Sequence, residues 1–81
     1  MIPLYDNVLV EPVENKDDAL TVINDQYIVL KIVKLPKGEC TILAPEELRE
    51  GSTVLADHCR DFLIDDKKYY FTRLQDIVTI L

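Results

Sequence analysis

The sequence predicts an all-β fold, a small irregular β-barrel formed by a single domain that spans residues 1–81. Three observations support this prediction. The chain has 81 residues, which is the size of one small domain. Short runs rich in β-branched and aromatic residues recur along it, and polar, proline or glycine residues separate these runs. Several short strands joined by turns are typical of a small barrel or sandwich.

The predicted strands follow one another along the whole chain. The first covers roughly residues 4–13. The second covers 27–35 and ends before Pro36-Lys37-Gly38; its β-branched content favours a strand over a helix. The others are 40–43, 53–56, 62–64, 69–72 and 77–81, with one helical turn at 45–51 and a polar hairpin turn at 65–68. We expect the two terminal strands to form the edges of the sheet and to need a second subunit as cover.

Charge and composition exclude several classes of function. Nine Lys and Arg residues face fifteen Asp and Glu residues, which gives a net charge of -6. Phosphate backbones and anionic membranes attract basic surfaces, so neither nucleic acid nor membrane is the expected partner. No apolar stretch approaches the about 20 residues that cross a bilayer. The N-terminal residues lack the basic and apolar regions of a signal peptide, which predicts a cytoplasmic protein.

Catalytic and metal-binding chemistry finds little support in the sequence. Cys40 and Cys59 do not have zinc-site spacing, and we expect both to be reduced thiols. His58 and Cys59 could be joined by Cys40 and Asp57 as metal ligands, but adjacent residues cannot easily share one centre. A Cys59/His58 nucleophile pair lacks a recognisable orienting group. The prediction is therefore a protein without enzyme activity, metal or cofactor, and with no phosphate loop for ATP.

Two other clusters have simple structural interpretations. Asp17-Asp18 and Asp65-Asp66 are acid pairs, but neighbours on a strand point to opposite faces, so both pairs are expected to be solvated loop or turn residues. Tyr69, Tyr70 and Phe71 could stack on nucleobases. The acidic charge favours core packing for these three rings instead.

The segment 14–26 is the most informative part of the sequence. Its length is unusual for a connection between two strands, its ends are polar, and its middle, Leu20-Thr21-Val22-Ile23, is apolar. One interpretation is a further short strand of the sheet. The other is a mobile loop whose apolar tip is buried in a partner protein.

Three motifs in order resemble those of GroES-type co-chaperonins. Residues 2–10, IPLYDNVLV, are similar to the family's opening I-x-P-L-x-D-R-V-x-V. Residues 48–55, LREGSTVL, resemble its L-x-x-G-D-x-V-L. Residues 65–80, DDKKYYFTRLQDIVTI, resemble its closing D-G-E-E-Y-L-I-L-x-E-x-D-I-L-A-V. The order and approximate spacing of the motifs agree over nearly the whole chain.

The resemblance implies a GroES-like barrel, a heptameric ring of identical subunits, and a group I chaperonin ring as partner. It also implies a long mobile loop after the first strand, whose apolar tripeptide binds the chaperonin. The matching positions are Thr21, Val22 and Ile23, with Leu20 adjacent. The subunit interface implied by the family joins the N-terminal segment of one copy to the last strand of the next, and its positions here are Ile2, Pro3, Leu4, Ile77, Val78, Thr79 and Ile80.

The chain also departs from the family pattern. Asp18-Ala19 stand where the family has glycines before the tripeptide, and Ser52 replaces the usual aspartate. The region 35–50 is too short for the long hairpin that roofs the ring in better-known members. Such trimming resembles bacteriophage co-chaperonins, which would work in the host cytoplasm, and predicts a thinly covered lid. The alternative function is a small protein-binding or accessory module that makes no contact with a chaperonin.

Overall fold

The structure is a computed structural model that describes residues 1–13, 21–23, 27–38 and 45–81, with the backbone alone described for 21–23. These residues form seven β-strands and one short 3₁₀ helix, Leu74–Asp76. The strands are β1 (Asn7–Pro12), β2 (Thr21–Ile23), β3 (Tyr27–Lys34), β4 (Thr53–Ala56), β5 (Arg60–Ile64), β6 (Lys67–Arg73) and β7 (Ile77–Ile80). The predicted all-β fold is confirmed. The predicted strand at 40–43 lies outside the described residues.

All strand pairs in the sheet are antiparallel. Six strands follow the order β5-β6-β1-β3-β4-β7, and β2 pairs with β3 beside that path. Among the described residues β5 and β7 do not pair with each other, so the sheet is barrel-like but open. The expectation that the first strand forms an edge is wrong, because β1 lies between β6 and β3. The two ends of the six-strand path are β5 and β7 within the described residues.

The hydrophobic core lies against one face of this sheet. Alternate residues of the central strands point to it, as the pleat of a strand requires, and two leucines from outside the strands cover it. Its buried members are Val8, Val10, Leu30, Ile32, Val54 and Ala56 from strands, with Leu48 and Leu74 above them. Within the part of the chain that the structure describes, no helix has the length and hydropathy needed to cross a membrane.

The predicted helical turn at 45–51 is replaced by two consecutive tight turns. The Leu48 amide donates to the Pro45 carbonyl at 3.0 Å, and the Ser52 amide donates to the Arg49 carbonyl at 3.0 Å. Gly51 adopts a left-handed conformation with φ of 92°, and its amide donates to the Ile32 carbonyl at 2.8 Å. This bond draws the chain onto β3, which ends the turn and places Leu48 over the core.

Candidate partner-binding surfaces

The segment predicted to bind a partner leaves and re-enters the sheet at neighbouring positions of one strand. Pro12, the last residue of β1, pairs with Leu30, and Thr21, the first residue of β2, pairs with Val29. The strands β1 and β2 therefore lie end to end along the same side of β3. Residues 13–20 connect the two strands, and β3 is the common partner of both.

The predicted tripeptide directly follows that connection along the chain. Thr21, Val22 and Ile23 form β2 and pair with Val29, Ile28 and Tyr27. The backbone thus adopts the short strand that was one of the two interpretations of this segment. The orientation of these three side chains, Leu20 and the rest of the predicted loop at 14–20 and 24–26 lie outside the described residues. The prediction that Leu20 to Ile23 contact a partner stays a prediction.

The N-terminal segment predicted to form a subunit interface is held on its own subunit. Leu4 forms a parallel bridge with Lys37, and the Lys37 amide donates to the Pro3 carbonyl at 3.1 Å. Pro3 is buried, whereas the Ile2 and Leu4 side chains are 56% and 53% exposed. Two apolar side chains of this segment therefore face solvent in the isolated subunit.

The other half of the predicted interface is the edge strand β7. It pairs with β4 on one side only, through Ile80 with Val54 and Thr79 with Leu55. Ile77 and Ile80 pack against the core, while Val78 and Thr79 are exposed. Among the described residues no strand pairing or backbone hydrogen bond joins the N-terminal segment to β7 of the same subunit, and contact between two copies stays a prediction.

The metal site and the nucleophile pair considered in the sequence both involve His58 and Cys59, which lie just before β5. Among the described residues no group of three or more His, Cys, Asp or Glu side chains is placed to hold a metal ion, and Cys40 lies outside them. The pKa of the Cys59 thiol is raised to about 11, chiefly by burial and then by the Asp61 charge, with Arg60 opposing. A nucleophilic thiol needs a lowered pKa, so this environment suits a structural cysteine.

The acid pair and the aromatic cluster now have definite places. Asp65 and Asp66 form the exposed two-residue turn between β5 and β6, with φ of 50° and 65°. The core packing predicted for the three rings is confirmed for Tyr70, which packs against the core, and is wrong for Tyr69 and Phe71. Tyr69 and Phe71 alternate with Tyr70 along β6 and therefore lie on the opposite face of the sheet, where Phe71 meets Phe62 edge-on at 5.7 Å between ring centroids.

A surface that the sequence did not single out lies on that outer face. Arg60 pairs with Phe71, Phe62 pairs with Tyr69, and Arg73 pairs with Asn7, so these side chains share one face. An open cleft of about 400 Å³ lies at the start of β5 and is lined in part by His58, Arg60, Phe71 and Arg73. A partial sequence signal was available, because cationic and aromatic residues alternate along β6, but the face that they share with Arg60 depends on the register of the hairpin.

Comparison with known proteins adds no identification. No model of a known protein family matches this sequence, and no curated protein is significantly similar to it.

Proposed function

We propose that this protein is the subunit of a ring-shaped co-chaperonin, a lid that closes an ATP-loaded group I chaperonin while a substrate protein folds inside. The observation that carries the proposal is the pairing of the two residues that flank the segment 13–20: Pro12 pairs with Leu30, and Thr21 pairs with the adjacent Val29. Insertion of a segment here leaves the pairing of β3 continuous. The resemblance to GroES-type proteins places its chaperonin-binding loop after the same first strand.

The energetics suit a lid that must be released. Burial of Leu20, Val22 and Ile23 in a chaperonin groove would contribute roughly 1.5–3 kcal/mol for each side chain. Ordering the loop costs on the order of 1–2 kcal/mol per residue, so one loop alone binds weakly. Several loops on one ring turn later contacts into intramolecular ones and raise avidity by about 100- to 10,000-fold. Release of a few of these contacts then weakens the binding of the whole ring to the chaperonin.

The two edge features support a ring of copies. The edge strand β7 presents Val78 and Thr79 to solvent, and the N-terminal segment presents Ile2 and Leu4. Joining one to the other is a head-to-tail contact, which closes into a ring when the rotation between copies fits. It would also cover apolar side chains that a monomer leaves in water. The cytoplasm is where this partner would be met.

The test is co-purification with a group I chaperonin, with and without ATP. We expect ATP-dependent capture of the wild-type chain and at least about tenfold weaker capture of the Val22→Asp/Ile23→Asp double variant, because a charge cannot enter an apolar groove without a partner. Leu63→Asp is the matched control, since Leu63 is 70% exposed and lies on the edge strand β5, away from β2. Undiminished capture of the double variant would place the contact elsewhere. Absence of capture for the wild type would leave the accessory-module function.

A further inference from the structure

In the part of the chain that the structure describes, the strand β5 pairs with β6 alone and lacks the usual protection of an edge. All five of its residues are exposed, although Phe62, Leu63 and Ile64 are large and apolar. It pairs in regular register with β6, from Arg60 with Phe71 to Ile64 with Lys67, without a bulge. Proteins generally protect an edge of this kind with a bulge, a proline or a central charge, because an exposed apolar edge pairs readily with another chain. We infer that β5 is a docking edge for another polypeptide.

The geometry of the hairpin says which backbone groups are available. A two-residue turn makes the flanking pair, Ile64 and Lys67, the hydrogen-bonded kind, and such pairs alternate along an antiparallel ladder. The amides and carbonyls of Asp61 and Leu63 are therefore expected to point away from β6. Only a polypeptide offers the complementary row of amide and carbonyl groups, so the edge favours an added strand over a nucleic acid.

The charge on the outer face defines the chemistry of that strand. Arg60, Lys67 and Arg73 are exposed on this face, and within the part of the chain described here none of them forms an ion pair. The Arg60 guanidinium lies 5.8 Å from the Phe62 ring centroid, and the Lys67 ammonium lies 5.7 Å from that of Tyr69. The ion pair of the hairpin, Lys68 with Asp61 at 3.6 Å, belongs to the opposite face. On β5 and β6 the outer face is thus cationic and aromatic in a chain whose net charge is -6, and the neighbouring strand β1 adds one exposed acid, Glu11, to that face.

The cleft at the start of β5 adds a place for a carboxylate. Arg60 and Arg73 both line it, together with the Phe71 ring. Of the residues described in its lining, Asp76 is the one acid, against two arginines. Arg60 also donates a 2.8 Å hydrogen bond from Nη2 to Asn7 Oδ1, which orients the guanidinium toward this end of the sheet. Guanidinium groups bind carboxylates with two parallel hydrogen bonds, so a glutamate or aspartate side chain suits the site.

We therefore assign β5 as the docking site for an extended acidic segment of a partner protein, in which carboxylates alternate with apolar residues. The segment adds as a strand beside β5. Because alternate residues of a strand point to opposite faces, its carboxylates lie on the outer face, where they meet Arg60 and Arg73, and its apolar side chains lie on the other face against Leu63. A second copy of this chain fits less well, because its open edge β7 carries no acidic residue. The site lies at the opposite edge from β7 and does not depend on the lid function.

The test is titration of the full chain, followed by NMR of its backbone amides, with a short peptide that alternates glutamate and valine. We expect the largest shifts at Asp61 and Leu63 and at the Arg60–Arg73 cleft, with affinity that falls as salt rises. Peptides with glutamine or lysine in place of glutamate serve as probes of charge and should bind at least about tenfold more weakly. Equal binding of the lysine peptide would overturn the assignment.

Two variants separate charge from backbone pairing. Arg60→Gln/Arg73→Gln should weaken binding of the glutamate peptide by at least about tenfold, whereas Lys37→Gln/Arg49→Gln, which removes two exposed cations elsewhere, should not. Leu63→Pro removes one outward amide and should abolish binding with both arginines intact. If that variant fails to fold, the arginine pair decides alone. Unchanged binding to the arginine variant overturns the site. The assignment is also overturned if oligothymidylate binds more tightly than the glutamate peptide and shifts the same amide signals. The same holds if these amide signals shift when the protein concentration alone is changed.

Discussion

The buried Thr72 hydroxyl donates a 2.7 Å hydrogen bond to the His58 carbonyl oxygen. Thr72 is 2% exposed and lies on the core face of β6, opposite Val8 of β1. Its partner lies in the connection between β4 and β5, so this bond ties the segment that enters the edge hairpin to β6. It also fixes one wall of the cleft, because both residues line it.

Removal of this hydroxyl should lower the stability of the whole domain. Thr72→Val keeps the shape of the side chain but leaves the His58 carbonyl without its donor, and we expect a loss of about 0.5–1.5 kcal/mol in the free energy of unfolding. Urea unfolding followed by circular dichroism measures it. Thr79→Val is the matched control: Thr79 is exposed and its bond to the Ile80 carbonyl is 3.4 Å long, so a change within about 0.5 kcal/mol is expected there. Equal losses would contradict the role of the Thr72 bond.

The hairpin turn between β5 and β6 offers a stabilising substitution. Asp65 and Asp66 have φ of 50° and 65°, the left-handed conformation that a two-residue type I′ turn requires at both central positions. Asp66→Gly creates the Asp-Gly pair preferred in such turns and should raise the free energy of unfolding by about 0.5–1 kcal/mol.

The sign of that effect is specific to the turn. Asp57→Gly is the comparison, because Asp57 is exposed and is not among the described residues with positive φ. Added backbone freedom in the unfolded chain should there be neutral or destabilising. Thermal unfolding of the two variants beside the wild type checks the prediction. A fall in melting temperature for Asp66→Gly would mean that the turn conformation differs.

The local sequence predicts most strands of this sheet, but it does not predict the order in which they pair. The runs 27–35 and 53–56 match β3 and β4 because β-branched residues and flanking turns define a strand within a few residues. The central position of β1 depends instead on β6, which lies some sixty residues along the chain, and turn chemistry carries no information about such pairing. The turns at Pro45 and Arg49 escaped prediction for a similar reason, since the Gly51 amide bonds to Ile32 of a distant strand.

The candidate site divides in the same way. The apolar tip at Leu20 to Ile23 could be singled out because it interrupts a polar segment, a property of adjacent residues. The cationic outer face of β5 and β6 was not singled out, because Arg60 and Arg73 share a face only in the register that the hairpin adopts. Charges that alternate along a strand have no visible partner until the register is known.

Core and edge leucines should differ sharply in their effect on stability. Leu30 is fully buried on β3, between the neighbouring strands β1 and β4. Leu30→Ala should lower the free energy of unfolding by about 2–5 kcal/mol through lost burial and the cavity that remains. Leu63 is 70% exposed, so Leu63→Ala should change the free energy of unfolding by no more than about 0.5 kcal/mol. Chemical denaturation distinguishes the two. A large loss for Leu63→Ala would show that β5 is covered in solution.

The thiol of Cys59 should react slowly and should make the fold sensitive to alkaline pH. Its pKa is raised to about 11, first by burial and second by Asp61. At pH 8 the thiolate fraction is therefore about 100-fold below that of a thiol with the ordinary value of 9.0, and iodoacetamide should react correspondingly slowly. The measurement uses a Cys40→Ser background, with the same chain in urea as the control for the unperturbed rate.

The stability consequence has a definite sign. A folded-state pKa above the unfolded value means that the folded state favours the protonated thiol, so this contribution is complete below pH 9 and is lost as pH rises toward 11. Cys59→Ala, which removes the group, should show a smaller decline over that interval than the Cys40→Ser background. Identical declines would assign the alkaline sensitivity to other groups.

The proposed ring can be tested at surface positions without damage to the subunit. Deletion of β7 would remove Ile77 and Ile80, which pack against the core, so loss of assembly would not be separable from unfolding. Val78 is 51% exposed and Leu4 is 53% exposed, so Val78→Asp and Leu4→Asp should each leave the fold intact and yield monomers. Native mass spectrometry measures the assembly, and circular dichroism checks the fold. Leu63→Asp, at the far edge β5, is the control that should keep the ring, since the head-to-tail contact joins the N-terminal segment to β7 and leaves β5 free. A ring that persists in both Leu4 and Val78 variants would remove these two surfaces from the interface, whereas loss of the ring in the Leu63 control would move the contact to β5.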